Sequence, residues 1–172
     1  MLNERGVDQV KGGLSNDKGS ISTLLVIFLP VLLLIMALVI DVGLLATARN
    51  NLQAAADMGA LAAAQNLDLK ELQVGEIVIL EKEAIKDGKL WTEENLFRNL
   101  PNLIECDETI VKVKVYNGSA DRFMYDQYSG RRLEDPTVCI VIEASHKFYF
   151  IHGVFGKQKI IVHADASVLK RD

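Results

Sequence analysis

The chain has 172 residues, of which 49% are hydrophobic and 24% are charged, and its formal net charge is −4. Its 19 basic and 23 acidic side chains exclude a strongly basic nucleic-acid-binding protein, and its apolar content excludes a chain that is disordered throughout. The mean hydropathy of +0.16 is high for a soluble domain, and the excess lies in one segment.

The first predicted element is a membrane-spanning helix. Residues 24–40 are apolar apart from Pro30, and no charged side chain lies between Lys18 and Asp41. The 22 uncharged residues between these charges would form roughly 33 Å of helix, which is enough to cross the hydrocarbon core of a bilayer. A transmembrane helix also tolerates an internal proline better than a helix in water does.

A cleaved secretory signal is the alternative interpretation of this segment, because residues 46–48 (Ala-Thr-Ala) resemble a small-x-small cleavage site. Asp41 separates the apolar run from that site, so the sequence favours an uncleaved anchor. Three basic residues precede the span and only Arg49 follows it closely, which predicts a cytoplasmic N-terminus. We therefore expect a cytoplasmic tail at residues 1–19 and an extracytoplasmic domain at residues 67–172.

The helix is predicted to continue beyond the span, over residues 20–66. Seven of the eleven residues from 54 to 64 are alanine, the best helix former. Four polar residues (Asp41, Arg49, Gln53 and Asp57) are spaced by multiples of four along one stripe, and small residues recur at every fourth position around Gly59. Two interpretations stay open: the helix covers its own domain, or it packs beside copies of itself or related subunits.

This stretch resembles a known protein family. An Asp-x-Gly sequence after the apolar span, then Arg-x-x-Leu-Gln-x-Ala-Ala-Asp and Ala-Leu-Ala-Ala-Ala, is similar to the Tad-type pilus-assembly proteins of the TadE/TadG-like group. The resemblance covers roughly residues 18–66. It implies a bacterial, pilin-like, single-pass membrane protein of a tight-adherence (Flp) pilus or related secretion apparatus. The matching residues are Asp41, Gly43, Arg49, Leu52, Gln53, Ala55, Ala56, Asp57 and residues 60–64.

The small-residue ridges and the polar stripe favour lateral packing of helices, in which polar residues set the register because charges near lipid are costly unless they are paired. The positions that we assign to this packing and register are Asp41, Gly43, Arg49, Gln53, Asp57 and Gly59. Longer members of the group carry a metal-binding adhesion domain, but this chain contains no Asp-x-Ser-x-Ser sequence. That activity is therefore not expected here.

Two further helices are predicted at the start of the external domain. Residues 76–87 have helical spacing of their apolar side chains, and Gly88 is expected to end that helix. Residues 92–100 form a second, short helix with Thr92 as its cap. The large side chains of Trp91 and Phe97 are assigned to the core.

The second half of the domain has the pattern of strands. Residues 109–116 alternate valine with lysine, and Asn117-Gly118 predicts a hairpin turn with a returning strand near residues 122–128. Residues 138–144 are expected to form a central strand, and residues 160–169 a final one. The fold class is therefore α+β, a long helix that extends into a small domain with an antiparallel sheet of three to five strands.

The aromatic segment 148–156 has two interpretations, a membrane-proximal contact loop or a strand end that plugs the core. The two cysteines also have two interpretations: Cys106 and Cys139 either form a disulfide or remain buried free thiols. The three histidines are scattered, and no metal-binding, phosphate-binding or catalytic motif is present in the sequence. We expect no enzyme, no cofactor, no metal, no nucleic acid and no small-molecule substrate.

The leading functional hypothesis is a structural subunit or assembly factor of a Tad-like pilus, with membrane lipid and other pilus or secretion subunits, including copies of itself, as partners. One alternative is a single-pass sensory or ligand-binding membrane protein, which would need an apolar pocket in the external domain. The other is a secreted soluble protein with a cleaved signal peptide.

Overall fold

The computed structural model describes residues 17–99, 104, 108–119 and 121–169. Its first element is the helix α1, Asp17–Ala64, which continues through Pro30. The helix ends at Ala64, where the backbone N–H groups of Gln65 and Asn66 donate to the carbonyl oxygens of Ala62 and Ala63 and the side-chain amide of Asn66 donates to the same two oxygens. The long helix and the antiparallel sheet described below confirm the α+β prediction.

The chain divides into two units, residues 1–40 and residues 41–172. In the first unit, residues 22–40 contain no buried side chain. By length and composition, α1 is a helix that could cross a membrane. In the second unit, residues 41–64 of α1 contribute to the hydrophobic core of the domain.

Two more helices follow α1. The helix α2, Leu69–Gln73, is capped by Asp68, whose carboxylate accepts a hydrogen bond from the backbone N–H of Lys70 at 2.9 Å. The helix α3, Glu81–Asn99, is continuous, so the prediction that Gly88 ends a helix and Thr92 caps another is wrong. The Thr92 hydroxyl donates to the carbonyl oxygen of Gly88 at 2.7 Å inside this helix, and tertiary packing at Gly88 outweighs its low helix propensity.

The main sheet has three antiparallel strands in the order β1-β4-β5: β1 is Ile110–Tyr116, β4 is Thr137–Lys147 and β5 is Lys157–Ser167. The central position of β4 confirms the prediction for residues 138–144, and its near-continuous burial explains its run of branched side chains. Alternate residues of β4, among them Val138, Ile140 and Ile142, join the core cluster that also contains the inner face of α1.

The predicted hairpin at Asn117-Gly118 is wrong, because β1 pairs with β4 and not with residues 122–128. Asn117 instead bonds both backbone groups of Ile79, accepting from its N–H at 2.8 Å and donating to its carbonyl oxygen at 3.0 Å. Gly118 is buried, and a Cβ there would lie 2.8 Å from the carbonyl oxygen of Leu133. This pair of residues therefore makes tertiary contacts and not a tight turn.

The segment between β1 and β4 contains a separate two-stranded hairpin, β2 (Met124–Tyr125) with β3 (Arg132–Leu133). A short helix, α4 (His152–Phe155), lies between β4 and β5. We call residues 148–156 the aromatic loop.

Candidate functional site

Asp41 is the first residue after the apolar run, and its side chain is fully buried. One carboxylate oxygen, Oδ1, accepts a hydrogen bond from the backbone N–H of Tyr149 at 3.0 Å. The other, Oδ2, accepts from Phe150 at 2.9 Å and from Ile151 at 2.8 Å. Hydrogen bonds to an ionised acceptor are stronger than neutral ones, so Asp41 fixes the backbone of the aromatic loop.

The aromatic loop separates its three aromatic side chains at residues 148–150 into two environments. Phe148 is buried and packs edge-to-face on His146, with 5.5 Å between the ring centroids. Tyr149 and Phe150 are 61% and 62% exposed although their backbones are bonded to Asp41. Phe148 therefore fits the interpretation of a core plug, whereas the next two side chains do not belong to the core.

Most small residues in positions 55–64 of α1 lie on its inner face, and Gly59 lies close to α3. A Cβ at Gly59 would lie 2.0 Å from Oγ1 of Thr92 and 2.9 Å from the carbonyl oxygen of Gly88. A Cβ at Gly88 would in turn lie 3.0 Å from the Cβ of Ala63. The buried hydrophobic residues of this face are Ala48, Leu52, Ala55, Ala56, Ala60, Ala63 and Ala64. The sequence left two interpretations open for these small residues. Their burial agrees with the one in which α1 covers its own domain.

The polar stripe is not a single surface. Gln53 is half-buried, and its side-chain amide donates to the carbonyl oxygen of His163 and to Oδ1 of Asp57, both at 2.9 Å. Arg49 and Asp57 are exposed, as is Gly43, whose Cα has open space around it. Asp41 and Gly59 therefore face the domain, whereas Gly43, Arg49 and Asp57 face outward, and the register role of the six positions stays a prediction.

The outer side of α1 carries an apolar patch that the sequence did not reveal. Met58 and Leu61 of α1 and Trp91 of α3 are exposed and line a shallow groove of about 560 Å³. The assignment of Trp91 to the core is wrong, since half of its surface is exposed; the side chain of Phe97 lies outside the described part of the chain. The remaining lining residues are Ala62, Gln65, Asn66 and Asp87.

A polar cluster lies on the face of the sheet opposite the helices. One ligand-type atom from each of Asp126, Cys139 and His163 lies within 4.8 Å of the others. Among the described residues, these side chains are the ones that could hold a transition metal such as zinc. Their spacing in the sequence matches no metal-binding motif, so no sequence pattern predicts this cluster.

Hydrogen bonds within the protein hold the Asp126 carboxylate in place in this cluster. Its carboxylate accepts from the backbone N–H groups of Tyr128 and Ser129, from the Ser129 hydroxyl and from the Tyr116 hydroxyl. Burial alone would raise the pKa of Asp126, but the bonds from Ser129 and Tyr128 and the nearby His163 outweigh burial and lower the pKa to about 2. Nε2 of His163 lies 3.0 Å from the carboxylate without the alignment of a hydrogen bond.

Cys139 is buried, and its sulfur forms no disulfide with any of the described residues. Burial and the neighbouring carboxylates of Asp126 and Asp165 raise the pKa of its thiol to about 12, so the thiol is neutral at physiological pH and a poor nucleophile. Its predicted disulfide partner, Cys106, lies outside the described residues, so the disulfide stays a prediction. Most of the predicted cytoplasmic tail also lies outside the described residues.

Comparison with known families agrees with the resemblance of the long helix. Residues 19–66 match the family model described as "Putative Flp pilus-assembly TadE/G-like". No curated protein and no solved structure matches the chain. The matched segment contains the apolar run, Asp41 and the inner face of α1, and the family is of a structural pilus-assembly type.

Proposed function

We propose that this protein is a membrane-anchored structural subunit or assembly factor of a Tad-like (Flp) pilus or a related secretion or adherence apparatus. The observation that carries the proposal is the family match over residues 19–66, together with the apolar run at residues 24–40, of which no side chain is buried. Such a run is stable in lipid and costly in water. In this proposal residues 1–19 are cytoplasmic, residues 20–66 contain the anchor and its extension, and residues 67–172 are extracytoplasmic.

The bonds of Asp41 support an uncleaved anchor. Cleavage after residue 48 would remove this carboxylate and leave three consecutive backbone N–H groups of the aromatic loop without their acceptor. It would also remove Ala48 from the core cluster. N-terminal sequencing of the mature protein tests this point, because a chain that starts at Arg49 would eliminate the anchor.

The outer face of α1 is the surface that we propose for contact with other subunits. The small residues that could have met a neighbouring helix are occupied within the chain, whereas the Met58, Leu61 and Trp91 groove is open. Exposed apolar patches with a polar surround are typical of protein interfaces. The exposed charge of Asp57 lies one helical turn before Leu61 and would add selectivity for a partner, whereas the exposed Arg49 lies on another side of the helix.

Photo-crosslinking in the native membrane tests this surface. A photoreactive amino acid in place of Leu61 should yield adducts with a second copy or with subunits of the same apparatus. The same probe in place of Ile161, which is similarly exposed but lies on the strand β5, is the control. Equal adduct yields from the two positions would reject the groove as an interface, and loss of the chain from alkaline-washed membranes would reject the anchor.

The register role of the stripe needs its own test. Replacing the exposed Arg49 by leucine should lower the recovery of partners in the same crosslinking experiment, because a charge that selects a neighbour would be lost. Unchanged recovery with Arg49→Leu would remove the register role and leave the anchor untouched.

A further inference from the structure

The tip of the aromatic loop is tied to the point at which the chain leaves the apolar run. Asp41 follows that run directly, and its carboxylate holds the backbone of residues 149–151 through three hydrogen bonds. The side chains of Tyr149 and Phe150 nevertheless remain largely exposed. Two exposed aromatic side chains are thus held beside the first polar residue after a predicted span.

A second contact fixes the direction of α1 along the domain. Gln53, twelve residues after Asp41, donates to the carbonyl oxygen of His163 on β5. Twelve residues of helix correspond to roughly 18 Å, so α1 runs along the domain away from the aromatic loop. The segment that joins β1 to β4 leaves from Tyr116 and returns at Thr137, at the opposite end of the sheet. Within the described part of the chain, the aromatic loop therefore forms the end of the domain beside Asp41.

Charge distinguishes this end of the domain as well. Residues 144–160 contain three lysines and two histidines but no acidic residue, although the whole chain has a net charge of −4. Lys147 and Lys157 are cross-strand neighbours at the base of the aromatic loop. Glu108 pairs with Lys157 and Glu143 pairs with Lys159, so the excess of positive charge is partly offset.

We propose that the aromatic loop docks in the headgroup region of the bilayer, with Tyr149 and Phe150 inserted as interfacial anchors and Asp41 as their positioning residue. Aromatic side chains favour this region because they have apolar rings and, in tyrosine, a polar tip. Lysines beside them favour anionic headgroups. The proposal rests on the membrane anchor proposed above, and it adds a second contact that sets how the external domain meets the lipid surface.

The test uses a tryptophan reporter in the full-length chain, reconstituted in vesicles of zwitterionic and anionic phospholipids brominated near the top of their acyl chains. Trp91→Phe removes the single native tryptophan. Phe150→Trp then reports on the aromatic loop, and Phe123→Trp, also exposed but between β1 and β2, is the matched control. We expect the fraction of fluorescence quenched by brominated lipid to be at least roughly twofold larger for the Phe150→Trp reporter than for the control. Omitting the anionic lipid should weaken this difference.

Asp41→Asn in the Phe150→Trp background tests the positioning role. The amide keeps one acceptor oxygen but loses the charge, so quenching should fall towards that of the control while the chain stays in the vesicle after an alkaline wash. Equal quenching of the two reporters in washed vesicles would overturn the docking proposal without affecting the anchor. A blue-shifted Phe150→Trp emission without lipid quenching would also overturn it, because protein and not lipid would then cover the loop.

Discussion

The helix α1 contains two stretches that are both rich in apolar residues and differ completely in burial. Residues 24–40 have large apolar side chains on every side of the helix, and none is buried. Residues 41–64 bury a face made mostly of alanine and glycine. Side-chain size and periodicity, and not hydrophobicity alone, thus determine the environment. Bulky residues all round the helix suit lipid, whereas small residues on one face allow a close approach to another helix.

The comparison predicts that two leucines of the second stretch have unequal roles. Leu52 is fully buried in the core and Leu61 is largely exposed. Leu52→Ala should lower the free energy of unfolding by about 3 kcal/mol, since it removes packed methyl groups and leaves a cavity. Leu61→Ala should change it by less than about 0.5 kcal/mol. Urea unfolding of the full chain in detergent micelles measures both, and equal losses would contradict the assignment of the inner face.

The two glycines of the second stretch provide a stricter comparison, because the substitution is the same. Gly59→Ala should destabilise the domain by about 2 kcal/mol, since its Cβ would overlap Thr92 and meet the rigid backbone of Gly88. Gly43→Ala places its Cβ in open space and should stabilise the helix by about 0.5–1 kcal/mol. Thermal unfolding followed by circular dichroism measures the pair. A gain of stability at Gly59 would show that α1 and α3 are not in close contact there.

Local patterns predicted the elements whose own residues decide their structure. The apolar run, the alanine-rich extension and the alternating valines of β1 each carry a period that specifies helix or strand. The errors at Gly88 and at Asn117-Gly118 have the opposite cause, because each residue type favours a break or a turn locally and is used for a tertiary contact.

The candidate sites were harder to predict than the elements, because their partners are far apart in the sequence. The register role of Asp41 between neighbouring helices stays a prediction; within the chain its partners are backbone groups at residues 149–151, which carry no side-chain signal. Exposure of Trp91 was missed for a related reason. A large aromatic residue on a helix is usually buried, and only the packing of α3 against α1 decides which side of α3 faces solvent.

The two faces of the main sheet also differ from each other, in how strongly their stability depends on pH. Packing of small residues stabilises the helical face at any pH, whereas the other face contains the Asp126 carboxylate with its lowered pKa. Because the folded pKa of about 2 lies below the ordinary value of 3.8, the stabilisation is complete above pH of about 4 and is lost as the pH falls towards 2.

Asp126→Asn should therefore reduce the acid sensitivity of the domain by about 2 kcal/mol over this interval, which is the free energy that corresponds to a pKa lowered from 3.8 to about 2. Asp121→Asn, at an exposed position of the same segment, is the matched control and should leave the profile unchanged. Unfolding midpoints between pH 6 and pH of about 2 measure the difference between the variants. Glu143, whose pKa is lowered to about 2 by hydrogen bonds from Lys112 and Lys159, titrates in the same interval and explains why part of the acid sensitivity should remain. Parallel profiles for the parent chain and Asp126→Asn would mean that the buried carboxylate does not stabilise this face through its charge.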